Sequence, residues 1–165
     1  MTPGSSLGSW FIPVLLIGSA ASAKTSLGIF GDWGAFSEPD QGRCYAIAQA
    51  QPDARQRERQ PYLTVTTWPR HRINGQLYWQ LARTPATPAS VSIRIGGRTY
   101  RLRTDGSRAW AQDPGMDAAI RAAMRSSDKL SVYYRDNRQR QYSERYRLRG
   151  AATAFDAATL ACARK

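Results

Sequence analysis

Val91-Ser-Ile-Arg-Ile-Gly-Gly-Arg-Thr-Tyr-Arg-Leu-Arg103 is the stretch that decides the class of fold. Val91, Ile93 and Ile95 fall on one face of an extended chain, with Ser92 and Arg94 on the other. Gly96-Gly97 follows, a pair that accepts positive φ at both central positions of a two-residue turn. Tyr100 and Leu102 then alternate with Arg101 and Arg103. Residues 90–103 therefore read as a β-hairpin with an apolar inner face and an arginine outer face.

The same alternation recurs along the chain. Strand candidates are 29–36 around Trp33, 43–50 around Cys44, 62–68, the Leu77/Trp79/Leu81 and Leu130/Val132/Tyr134 faces, and 141–149. In the last, Tyr142, Tyr146 and Leu148 oppose Arg145, Arg147 and Arg149. Short strands with regular turns predict a mainly β domain, a sandwich or a barrel. Alternation assigns most tyrosines to inward faces. Two helices interrupt the pattern. Met116, Ile120, Ala123 and Met124 have helical spacing, which predicts a short helix near 116–125, with Pro114 suited to its first turn. Thr153-Ala-Phe-Asp156 has the form of a capping box and predicts a C-terminal helix near 153–163. That helix puts Phe155, Ala158 and Cys162 on one face, where a strand cysteine could meet Cys162.

The ends of the chain speak to its address. Residues 1–23 carry no Asp, Glu, Lys or Arg, and the apolar run Trp10–Ile17 leads into Ala21-Ser22-Ala23, a small-x-small cleavage pattern. The expectation is a signal peptide over 1–23, cleaved after Ala23, and a single β-sandwich domain over 24–165 in the periplasm or outside the cell. The apolar run is shorter than the roughly 20 residues a bilayer span needs, so an integral membrane protein is not expected after cleavage. In an exported chain, Cys44 and Cys162 predict one disulfide; two free buried thiols are the alternative.

The charge balance is 24 basic to 12 acidic residues, a formal +12, and arginine supplies all but Lys24, Lys129 and Lys165 of the basic ones. Guanidinium stays ionised and grips phosphate or carboxylate through two donors. Such a surface favours anionic partners such as a phosphorylated glycolipid or an acidic polymer. A GC-rich genome would inflate arginine in the same way. The candidate anion- or partner-binding residues are Arg101, Arg103, Arg145, Arg147 and Arg149, which form a stripe if their strands are neighbours. Export and inward tyrosines argue against nucleic acid.

Catalytic constellations are sparse. His71 is the one histidine and is flanked by Arg70 and Arg72. No Gly-x-Ser-x-Gly elbow presents a serine, and two cysteines offer neither a zinc cluster nor a C-x-x-C pair. Glu144 falls on the inward Tyr142/Tyr146 face, where a glutamate beside an arginine, or a catalytic acid, would fit. No cofactor, metal or catalytic residue is expected, and the chain is read as a non-enzyme. A small envelope hydrolase or an enzyme inhibitor on the same fold is the alternative.

Three stretches taken together resemble the invasion-associated locus B family of exported bacterial proteins: Phe30-Gly-Asp-Trp-Gly34, Arg43-Cys-Tyr-Ala-Ile-Ala48, and Gly150-Ala-Ala-Thr-Ala-Phe-Asp-Ala-Ala158 leading to Cys162. The resemblance implies an immunoglobulin-like β-sandwich with a small C-terminal helix, export across the inner membrane, a link to host-cell colonisation, and no established catalytic residues. The chain departs from the commoner family pattern at Ser37, where many members carry a nearby cysteine, and in having no mid-chain cysteine pair.

Overall fold

The computed structural model describes residues 24–53, 59–88 and 90–163; the predicted signal peptide over 1–23 lies outside them. Ten strands run in chain order: β1 (Thr25–Phe30), β2 (Trp33–Glu38), β3 (Arg43–Gln49), β4 (Tyr62–Trp68), β5 (Ile73–Gln80), β6 (Val91–Ile95), β7 (Arg98–Asp105), β8 (Arg108–Trp110), β9 (Lys129–Arg135) and β10 (Gln141–Arg147). The helices are α1 (Pro114–Arg125) and α2 (Ala151–Ala163). Every strand pairs antiparallel with its neighbours, in the order β1-β2-β3-β4-β5-β8-β7-β6-β9-β10. The protein is thus mainly β, as the alternation predicts. No described helix is long and apolar enough to cross a membrane.

The Gly96-Gly97 hairpin forms with Ile95 opposite Arg98 and Val91 opposite Leu102, and both glycines take positive φ, 53° and 77°. The candidate strand 29–36 is instead two strands. Gly31 and Asp32 turn the chain between them, because Gly31 adopts φ +60°, which stops a strand that the apolar pattern alone would continue. The three-residue β8 escapes pattern reading, since it is too short to show alternation. The first helix begins at Pro114, with the Asp113 carboxylate accepting from the Met116 N–H at 2.8 Å. The C-terminal helix begins at Ala151, so Thr153 lies inside it rather than capping it. Gly150 supplies the first carbonyl of the helical ladder, to Ala154 N–H at 3.0 Å.

The inner faces of the strands and the apolar faces of both helices close on one core that includes Trp33, Leu63, Leu77, Trp79, Ile93 and Leu130. Helix α2 lies across β1–β4, and α1 packs against β5. The Trp33 and Phe155 rings meet edge-to-face with centroids 5.2 Å apart, a geometry that adds about 0.5–1.5 kcal/mol to the burial of both. Cys44 on β3 and Cys162 on α2 form a disulfide.

The sheet curls far enough to bring the β1–β2 turn, Trp33 and the segment after β3 to the free edge of β10. Three alternate carbonyls on the far edge of β10 and just beyond it are taken by groups from the other end of the chain. Arg145 accepts from Gln51 N–H at 2.7 Å, Arg147 from the Trp33 indole N–H at 2.9 Å, and Arg149 from Asp32 N–H at 3.1 Å. An edge that would otherwise template another strand is thereby covered. The contact requires glycine on both sides. A Cβ on Gly150, where φ is +88°, would lie 1.8 Å from the Phe30 carbonyl oxygen, and one on Gly31 would lie 2.6 Å from that of Arg149.

Two measurements check this account. The disulfide spans a sequence separation of 118, so loop-closure entropy assigns it about 4–5 kcal/mol. Reducing the protein, or making Cys44→Ala/Cys162→Ala, should lower the unfolding free energy in urea by about that amount; equal stability of the oxidised and reduced forms would refute it. Gly150→Ala should cost about 3 kcal/mol or more, from backbone strain plus overlap with Phe30. Gly97→Ala, where an added Cβ meets nothing within 4 Å, should cost only the backbone part. Equal losses in these two variants would contradict the close approach.

Candidate functional site

Directly paired residues on antiparallel strands share a face, so the register assigns every outward side chain. On β6, β7, β9 and β10 the outward positions include Arg94, Arg101, Arg103, Lys129, Arg145 and Arg147. One strand carboxylate, Asp105, shares that face, and it pairs with Arg108. The predicted stripe is corrected in one respect. β7 and β10 are not neighbours, because β6 and β9 stand between them. The intervening strands contribute Arg94 and Lys129, so the basic surface is broader than the five arginines named from sequence.

Those five differ in how they are held. Asp32 lies 4.0 Å from Arg147 and 3.2 Å from Arg149, both across the seam. Arg101, Arg103 and Arg145 make no ion pair among the described residues. Arg94 lies over the exposed Tyr133 ring, 5.7 Å from its centroid. Lys129 stands directly opposite Arg147, a like-charge pairing that costs stability.

The other half of the outer surface is aromatic, and here the inward assignment of the tyrosines is corrected. Tyr134 and Tyr146 do point in, but Tyr45, Tyr62 and Tyr78 point out. Leu63 and Val65 on β4, and Leu77 and Trp79 on β5, take the inner positions, which leaves Tyr62, Thr64, Trp68, Gln76 and Tyr78 on the outside. With Arg43, Tyr45 and Ile47 of β3 they line an open depression of about 400 Å³. Lys24 sits 4.0 Å from the Phe36 ring centroid, and Arg43 lies over both Tyr45 and Trp68 while pairing with Glu38 at 2.6 Å. The signal was present in the sequence: within 62–68 the aliphatic residues occupy every second position, and the aromatic ends fall on the opposite face.

Glu144 is 1% exposed. Its carboxylate accepts from Ala82 N–H and the Tyr134 hydroxyl at 2.8 Å each, and from the Tyr146 hydroxyl at 3.3 Å. Its partners are thus two tyrosines and a backbone amide, in place of the arginine expected from sequence. Burial raises its pKa, and the three donated bonds oppose that rise without cancelling it. Asp136 in the β9–β10 loop behaves oppositely. Desolvation alone would raise it, but bonds from Arg140, Arg138 and Tyr142 outweigh that and hold it at about 2. His71 is exposed in a short turn, edge-on to Trp68. No group of three or more His, Cys, Asp or Glu capable of holding a metal occurs among the described residues.

Comparison of the chain with protein-family models, curated proteins and solved structures finds no match.

The Glu144 environment has a pH signature. Its folded pKa lies above the unfolded value of 4.5, so the folded protein holds this proton more tightly. The stabilisation this gives is complete below pH 4.5 and is lost as pH rises through the folded value. Glu144→Gln keeps the acceptor for Ala82 and Tyr134 and removes the titration. Its unfolding free energy should fall less than that of wild type as pH rises from 4.5 toward neutrality. Parallel pH profiles would show that the carboxyl is not desolvated.

Proposed function

We propose that the protein is an exported, non-enzymatic envelope protein of the invasion-associated locus B type, with an immunoglobulin-like sandwich, and that its basic face binds anionic components of the bacterial envelope such as phosphorylated glycolipid. The observation that carries this reading is the outer face of β6, β7, β9 and β10. Arg94, Arg101, Arg103, Lys129 and Arg145 project there with no acidic partner among the described residues.

Spacing supports it. Arg94 and Arg145 stand two strands apart with Ser131 between them, about 9–10 Å at ordinary strand separation. That is close to the Debye length of roughly 10 Å at 0.1 M salt, so their repulsion is tolerable in solution. An anion seated between them would relieve it. Lys129 opposite Arg147 makes the same point at shorter range: a sheet selected for stability alone has no use for that pair.

Export is supported by the disulfide, which persists in oxidising compartments, and by the charge-free residues 1–23. The sandwich reading is supported by the shared core: apolar side chains from both ends of the one continuous sheet, Trp33 and Leu63 with Ile93 and Leu130, pack together.

The test is binding to immobilised lipopolysaccharide across a salt series. Affinity should fall steeply with ionic strength. The triple reversal Arg101→Glu/Arg103→Glu/Arg145→Glu should weaken binding more than tenfold, a loss of at least 1.4 kcal/mol. Reversal of Arg147 and Arg149, already engaged by Asp32, should have a smaller effect. Binding that is indifferent to salt and to the triple reversal would sink the proposal. In the same preparation, mass spectrometry of the exported chain should give Lys24 as the first residue.

A further inference from the structure

The aromatic depression and the arginine face are parts of one surface. A single cross-strand row runs Ile47–Thr64–Tyr78–Trp110–Arg103 through β3, β4, β5, β8 and β7. Four strand spacings of about 4.8 Å make it about 19 Å long. Rings occupy its middle, and a guanidinium with no ion-pair partner among the described residues stands at one end. Trp110, on the strand that pattern reading missed, is what joins the halves: it is paired to Tyr78 on one side and to Arg103 on the other.

We infer that this row binds an acidic oligosaccharide, and that the sugar rings lie on Tyr78 and Trp110 while the charged groups meet Arg103 and Arg101. The inference rests on the reading of the basic face as an anion-binding surface and deepens it by naming a sugar chain as the carrier of the charge. Flat aromatic rings with amphipathic edges suit the apolar C–H faces of pyranose rings. The hydroxyl of Thr64 and the amide of Gln76 line the same depression and make no side-chain hydrogen bond among the described residues, so they can serve the hydroxyls of a sugar. The charge of the ligand follows from complementarity. Arg43 and Arg108 flank the rings as well, each balanced by its own carboxylate, which leaves Arg103 and Arg101, together with Arg59 near Tyr78, as the unbalanced cations among the described residues. A neutral glycan would use the rings and leave these cations unused. A simple polyanion would use the cations and leave the rings unused.

The experiment separates the two parts. Full-length exported protein is titrated with hexagalacturonate, with neutral maltohexaose, with single-stranded oligothymidylate and with inorganic polyphosphate. Hexagalacturonate should bind more tightly than maltohexaose and oligothymidylate. Tyr78→Ala and Trp110→Ala should each weaken it about tenfold, the size of one lost aromatic contact, while polyphosphate binding stays within about twofold of wild type. Arg103→Ala should weaken both acidic ligands. Trp110→Phe keeps a ring in place and should retain affinity while reducing the tryptophan fluorescence change on binding, which guards against reading misfolding as lost contact. The inference is overturned if wild type fails to bind hexagalacturonate, if either alanine variant binds it as wild type does, or if maltohexaose or oligothymidylate binds equally well. The basic-face reading fails separately, if polyphosphate binding is insensitive to salt and to Arg101→Glu/Arg103→Glu/Arg145→Glu.

Discussion

The seam between the first β-turn and the start of the C-terminal helix is the constraint on which the rest of the structure depends. At Gly31 and Gly150 two backbones pass so closely that neither position has room for a Cβ. On one side of the seam Trp33 buries its ring against Phe155 and donates its indole N–H to Arg147. Farther along α2, Cys162 is bonded to Cys44. Three kinds of interaction, steric, aromatic and covalent, therefore hold the two ends of the chain together. The helix fills the inside of the curled sheet and β10 acquires partners for its outer carbonyls. With the helix inside, the opposite faces of the same strands become the surface of the molecule.

That outer surface is divided chemically along the strand order. From β2 to β8 it carries rings and hydroxyls; from β7 to β10 it carries cations. The division follows from what each set of strands already spends on the inside. β2–β5 use Trp33, Leu63, Leu77 and Trp79 for the core, so their outward tyrosines and Trp68 are surplus to packing. β6 and β9 likewise bury Ile93, Ile95, Leu130 and Val132, and their outward positions are polar apart from the exposed ring of Tyr133 under Arg94. Lys24 and Arg43 lie over Phe36, Tyr45 and Trp68. This is how cations cover exposed rings without removing them from use, since such contacts are worth only about 0.5–1 kcal/mol at exposed sites.

How much of this was legible in the sequence depended on the length of each periodic run. The hairpin over 91–103 alternates for a dozen residues with glycines at the turn, and it forms as read. The faces of both helices were legible, and so was the meeting of Cys162 with a strand cysteine, because helical spacing fixes direction. The split of 29–36 into two strands was hidden, because it hangs on the positive φ of Gly31 and on a contact with Arg149, 118 positions away. β8 is too short to carry a period, and its neighbours β5 and β7 are set by tertiary pairing. The outward tyrosines run against expectation because aromatic residues are common on inward strand positions, and only residue-by-residue alternation within 62–68 places Tyr62 on the opposite face from Leu63 and Val65. Glu144 was correctly sent inside, but its partners could not be named, since Ala82 reaches it from 62 residues away.

The two halves of the surface divide the work of recognition between forces with different reach. Charge acts over about a Debye length and is screened by salt, so the arginines of β7 and β10 can gather anions of many kinds and raise the rate of encounter. They discriminate weakly among them, because any phosphate or carboxylate satisfies a guanidinium. Contact with a ring works only at van der Waals distance and hardly responds to salt, so the row through Tyr78 and Trp110 can separate ligands that the arginines treat alike. A partner that engages both must carry flat apolar faces and negative charge on one chain, spaced over a few strand widths. Because Trp110 is hydrogen-bonded into the sheet between Tyr78 and Arg103, the distance between the two chemistries is set by strand pairing. The seam that fixes the sheet thus also fixes the spacing that such a partner must match.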